Sequence, residues 1–133
     1  YFRVKAERLR SFVSYFVEKH AGDANKMARQ PLDRLREELL DVHGVGEETA
    51  DSILLYALEK RSFVIDAYTR RVFSRHRYLK GNENYQTIQN IFTSLLPKSI
   101  TLYNDYHAQL VEVGKDHCRK APRCERCPLR FNL

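Results

Sequence analysis

Two glycines one residue apart, Gly44 and Gly46, interrupt an otherwise helical apolar pattern, and this break most constrains the fold. Leu32, Leu35, Leu39 and Leu40 precede it at helical spacing, and Thr49, Ala50, Ile53, Leu54 and Ala57 resume the pattern through about residue 59. Residues without a Cβ let the backbone turn sharply and leave its N–H groups uncovered. Two helices joined by a tight turn result. The N-terminus of the second helix adds positive partial charge, so His43, Gly44, Val45, Gly46 and Thr49 are candidates for holding a phosphate. Taken alone, the same string also fits an ordinary αα-hairpin with a glycine corner. Glu47 and Glu48 make the local charge acidic, so backbone donors rather than side chains would have to grip an anion.

The remaining pattern is helical as well. Val4, Leu9, Phe12, Val13, Phe16 and Val17 describe an apolar face over about 5–20. Gly22-Asp23 punctuates it, and Pro31 suits the first turn of the next helix. The apolar run Ser62-Phe63-Val64-Ile65 reads as a buried linker rather than a strand, and Asp66 stands as N-cap to a helix over 67–77. A turn at 81–84, a helix beginning at Tyr85 and ending before Pro97, and a last helix over about 102–115 complete an all-α bundle with a cysteine-bearing tail. The 133 residues fit one globular domain, and no apolar run approaches the roughly 18 residues of a membrane span. Lys and Arg number 23 against 17 Asp and Glu, a net charge of +6 that favours polyanion partners only weakly.

All three cysteines fall in the tail Cys118-Arg-Lys-Ala-Pro-Arg-Cys124-Glu-Arg-Cys127-Pro128. Three thiols packed so tightly, with no other cysteine in the chain, point to metal binding in a reducing, intracellular setting rather than to a disulfide framework. His117 could complete a zinc site, although adjacent ligands are sterically awkward. Lys115, Arg119, Lys120, Arg123, Arg126 and Arg130 make the tail basic.

Together the hairpin string, the segment Val64-Ile65-Asp66-Ala67-Tyr68-Thr69-Arg70-Arg71-Val72 and the cysteine tail resemble the endonuclease III superfamily of helix-hairpin-helix DNA glycosylases, in the family's order and from about residue 3 onward. The resemblance implies a helical glycosylase domain over 1–115 and an iron–sulfur loop over 116–133. It makes Asp66 the catalytic carboxylate; Arg70 and Arg71, which follow it on the same helix, are candidates to face phosphates or else plain helix surface. It also implies a 4Fe–4S cluster held by Cys118, Cys124 and Cys127. The family's loop runs Cys-x6-Cys-x2-Cys-x5-Cys; here the first spacing is one residue shorter and the fourth position is Leu133. With Tyr1 in place of an initiator Met and family members carrying further N-terminal helices, the chain reads as truncated at both ends.

Bifunctional members carry a lysine four residues past the first hairpin glycine, where the amine attacks the sugar. Here that residue is Glu48, which implies a monofunctional enzyme using water unless Lys60 or another amine substitutes. The stretch from Gly44 to Ala57 resembles the branch acting on alkylated purines such as 3-methyladenine, with Glu48 as a pocket carboxylate or else a first-turn residue favoured by the helix dipole. The partner implied is duplex DNA with a damaged base, met by a monomer in the cytoplasm, nucleoid or nucleus. Tyr56, Tyr68, Tyr103 and Tyr106 could stack a flipped base but fit the core as readily. His20, His76 and His107 read as surface or core residues. The rival readings are a non-enzymatic helix-hairpin-helix DNA-binding module, which has no need of Asp66, and an inactive remnant.

Overall fold

A computed structural model of the chain describes residues 1–131. Among the described residues seven α-helices follow one another: α1 (Phe2–His20), α2 (Ala24–Ala28), α3 (Leu32–Asp41), α4 (Glu47–Ser52), α5 (Ala67–Arg75), α6 (Tyr85–Leu95) and α7 (Ile100–Asp116). No strand occurs among the described residues, so the all-α expectation holds. The chain divides into two compact units, Tyr1–Ser62 and Phe63–Leu133.

In the first unit Met27, Leu35, Leu39, Ala50, Leu54 and Leu58 form the buried core, with Phe12 and Phe16 of α1 packed against it. The apolar face expected of α1 is therefore only half used. Leu9, Val13 and Val17 form an adjoining i, i+4, i+8 strip that stays exposed, Leu9 to 64%. The short helix α2 is absent from the sequence expectation because five residues carry too little periodicity; Asp23 caps it by accepting from the amides of Asn25 and Lys26. Beyond Ser52 the helix widens into a π-helical turn over Ile53–Ala57, in which the Leu58 amide donates to the Ile53 carbonyl at 3.1 Å.

In the second unit Phe63, Val64 and Ile65 are buried and belong to neither helix nor strand. Side chains of α6 satisfy their backbone instead. The Gln89 amide donates to the Phe63 carbonyl at 2.8 Å, and the Ile65 amide donates to the Tyr85 hydroxyl at 3.2 Å. Phe63 stacks on Phe92 with ring centroids 4.4 Å apart and meets Tyr103 edge-on. Gly114 lets α7 approach α5 closely: a Cβ there would lie 2.3 Å from Cδ1 of Tyr68. That approach decides which face of α7 meets the start of α5.

Candidate functional site

The hairpin between α3 and α4 turns at Val42–Gly46, and its two glycines differ. Gly44 has φ +86°, a conformation that strains other residues, and the Arg8 side chain lies against its missing Cβ. Gly46 is extended at φ −96°, and a Cβ there would meet nothing within 4 Å. The expectation that both glycines serve the turn is therefore corrected: Gly44 makes the corner, and Gly46 leaves open space at the start of α4. No side chain caps that helix, and His43, Gly44, Gly46, Glu48 and Thr49 are all exposed there, with Val45 half-buried. Glu47 and Glu48 occupy its first turn.

Behind the hairpin, Asp51 is fully buried. Arg36 of α3 donates to it twice, from Nε at 2.9 Å and Nη2 at 3.1 Å, and Ser62 Oγ donates at 2.6 Å. This bidentate pair locks α3 against α4 and fixes the hairpin's backbone. Asp51 carried no role in sequence, since Arg36 and Ser62 are brought to it only by folding.

In the second unit Asp66 is the N-cap of α5, as its position predicts, with Oδ1 accepting from the Thr69 amide at 2.7 Å and the Thr69 hydroxyl at 2.8 Å. Oδ2 faces Nε2 of His107 on α7 at 3.2 Å. Burial alone would push the Asp66 carboxyl up. The His107 bond, the Thr69 amide, the Thr69 hydroxyl and the nearby imidazole charge together outweigh it and hold the carboxyl below the usual carboxylate range. Asp66 thus stays an anion at neutral pH although only 7% exposed. Sequence reading left His107 without a role; 41 residues separate it from Asp66, and only the packing of α7 on α5 joins them.

Arg70 and Arg71, the candidates for phosphate contact, bond backbone carbonyls in this structure. Arg70 Nη1 donates to the Glu83 carbonyl at 2.8 Å, while Arg71 donates from Nε to the Cys118 carbonyl and from Nη2 to the Gly114 carbonyl at 3.0 Å. Both guanidinium groups brace their own unit. Arg75 also ties α5 to the tail, donating to Cys118 Sγ at 3.3 Å and to the carbonyls of Arg119 and Lys120. Of the aromatic candidates, Tyr103 is buried in the core, Tyr68 packs against Gly114, Tyr106 lines an apolar cavity of about 580 Å3 beside Phe73 and Leu110, and Tyr56 is exposed.

Among the described residues no three His, Cys, Asp or Glu side chains stand close enough together to hold a metal ion. Yet Cys118, Cys124 and Cys127 line one cavity of about 150 Å3, together with Arg75, His76, His117 and Arg130. Three soft sulfur donors in a cationic surround suit a sulfur-ligated cluster, since the arginines would offset its negative charge. The fourth position expected of such a loop, Leu133, lies outside the described residues.

Residues 32–56 match the helix-hairpin-helix motif family. A protein of Methanocaldococcus jannaschii that bears the provisional name DNA repair glycosylase is 46% identical over 132 residues, covering 98% of this chain and 60% of that protein. The endonuclease III of Thermotoga maritima is 32% identical over 130 residues, covering 97% of this chain and 56% of its own length. Among solved structures, a non-covalent endonuclease III–DNA complex superimposes with a TM-score of 0.80 at 23% identity, covering 99% of this chain and 57% of the other. The chain thus spans little more than half the length of these relatives.

Proposed function

We propose that this chain, with its helix-hairpin-helix motif and its endonuclease III-like helical fold, supplies the DNA-gripping and catalytic residues of a base-excision DNA glycosylase. The observation that carries the reading is Asp66: a carboxylate kept ionised by Thr69 and His107 at the head of α5. The names borne by the Methanocaldococcus and Thermotoga relatives agree with it.

Removing a base breaks the C1′–N bond of the nucleotide, with the bonding pair leaving on the base and positive charge developing on the sugar. A fixed anion stabilises that charge where it appears, and it can take the proton of a water whose oxygen bonds to C1′. A neutral base leaves as an anion and takes up that proton, whereas a cationic alkylated base leaves neutral and the proton passes to solvent; either way the reaction consumes one water and yields free base and an abasic sugar. The target must first leave the helix stack, at a cost of a few kcal/mol that is smallest for damaged bases. Backbone amides of the Gly44–Thr49 turn, apart from that of Val45, which donates to the Val42 carbonyl, would hold a phosphate of that DNA, the open side of Gly46 giving it room.

Because Glu48 stands where a nucleophilic lysine would be needed, the proposed enzyme is monofunctional, and Glu48 would face a cationic, alkylated purine from the base pocket. Cys118, Cys124 and Cys127 would hold a 4Fe–4S cluster, whose role when bound is to stabilise the tail. We place the protein inside the cell, acting as a monomer on duplex DNA.

Base release is to be measured from duplexes carrying methylated purines, oxidised pyrimidines or adenine opposite oxidised guanine, with the protein beside its Asp66→Asn variant. Release of a methylated purine by the unmodified protein alone is expected; no release from any duplex rejects the enzyme in favour of a DNA-binding module. Borohydride should trap no protein–DNA adduct, and an adduct would overturn the water mechanism. Iron and sulfide in the purified protein support the cluster, whereas zinc in their place overturns it.

A further inference from the structure

We infer that His107 is a positioning residue: it fixes Oδ2 of Asp66, the carboxylate oxygen that retains room for another partner, and so sets the direction in which the anion meets sugar and water. The inference rests on the glycosylase reading above, and it follows from counting acceptor sites. An ionised carboxylate offers about four lone-pair sites, two on each oxygen. Both sites of Oδ1 are engaged by the Thr69 amide and hydroxyl. Oδ2 receives the single bond from His107 Nε2. Chemistry therefore falls to Oδ2.

Thr69 alone would leave the carboxylate free to swing about the bond that joins it to its own cap. Oδ2 would sweep an arc and the developing charge would meet it off axis. His107 closes that freedom from a second element, with side-chain exposures of 12% for His107 and 9% for Asp66 at the contact. For a hydrogen bond to a carboxylate, Nε2 must carry a hydrogen, whichever charge state the ring adopts. The contact exists because His107, Leu110 and Gly114 follow one another at i, i+3 and i+7 on α7, and Gly114 admits Tyr68 of α5 against the helix backbone. Thr69 and His107 are the side chains bonded to Asp66.

The test compares His107→Ala and His107→Gln, each checked for native helicity, with the unmodified protein. Three quantities are read: single-turnover base release against pH, duplex affinity, and the titration of the Asp66 carboxyl by carbon NMR. In His107→Ala, release should fall roughly 10²-fold at saturating duplex, the scale of a misplaced reacting group, with affinity unchanged. Its acid limb and its Asp66 titration should both move to higher pH. His107→Gln keeps an N–H aimed at Oδ2 and should recover most of the rate, with a titration between the other two. A helical His107→Ala with the unmodified protein's Asp66 titration and rate overturns the inference while leaving the glycosylase intact. If the unmodified protein releases no base, the glycosylase reading falls, and the titration decides alone: a shift upholds the positioning of Asp66 and no shift overturns it. Should His107→Ala fail to fold, the glutamine variant's titration decides in the same way.

Discussion

Asp51 and Asp66 are both withdrawn from solvent, one in each unit, yet their partners leave them in different chemical situations. Asp51 meets a full guanidinium face and a hydroxyl, donors from Arg36 and Ser62 that bind the two arms of the hairpin together. Asp66 meets an amide, a hydroxyl and one imidazole nitrogen, and an acceptor site on Oδ2 remains. A bidentate arginine satisfies a carboxylate and buries its charge in structure. A cap plus one histidine keeps the charge and leaves it available. Burial of an aspartate is thus no guide to function; the number and direction of its donors are.

The widest separation between the two sites should appear when each loses its carboxylate. Asp51→Ala removes both oxygens that the Arg36 guanidinium bonds behind the hairpin, with Glu47 still 3.9 Å away, and urea unfolding should show a loss of about 3 kcal/mol. Asp66→Asn keeps an oxygen that can cap α5, so its stability should change by less than about 1 kcal/mol. Its single-turnover base release should fall by about 10²- to 10³-fold, the range seen when one fixed electrostatic group is removed from a reacting centre. Equal stability losses in the two variants would erase the distinction.

A smaller effect should come from Gly114, which controls whether Asp66 has its second donor at all. In Gly114→Ala the new Cβ meets Tyr68, and overpacking of this kind costs about 1–3 kcal/mol. The Asp66 carboxyl should then titrate at higher pH, because α7 can no longer hold His107 within 3.2 Å. An unchanged titration would show that the pair does not depend on the α5–α7 contact.

The fates of these residues also mark what was legible in sequence. The helices other than α2, the hairpin, the linker before Asp66 and the cap itself follow from local rules: apolar spacing, glycine, and a short acidic side chain ahead of a helix. The cap prediction is met at Thr69, three residues along the chain. His107 could not be read in the same way, since its role depends on a contact 41 residues distant that a missing side chain at Gly114 permits. Arg70 and Arg71 show a related limit. Their charge is visible in sequence, but the carbonyls of Glu83, Gly114 and Cys118 that engage them are brought near only by folding. The exposed strip on α1 shows the same limit, because periodicity identifies apolar positions and not which of them find a neighbour.

Within the hairpin, the two glycines give a finer version of the comparison. Gly44→Ala must hold φ near +86° and should lose about 1–2 kcal/mol, read by thermal unfolding. Gly46→Ala has open space and an ordinary φ, so its stability should stay within about 0.5 kcal/mol, the range of uncomplicated surface changes. If backbone amides there grip a phosphate, the added methyl should still weaken duplex binding measurably. Loss of stability without loss of binding in Gly46→Ala would return the hairpin to a purely structural corner like the Asp51 clamp behind it.

Acid pH should draw the finest line. The folded carboxyl of Asp66 is held below its unfolded value near 3.9, so the stability it contributes is fully present above that value and is lost as pH falls through the folded one. Asp66→Asn has no such group to protonate. The unmodified protein's midpoint in urea should therefore decline more steeply than the variant's as pH drops below about 4, and the two curves should run parallel above about pH 6. Parallel curves throughout would mean that Thr69 and His107 do not favour the anion over the acid, and the chemical difference between Asp66 and an ordinary helix cap would vanish with them.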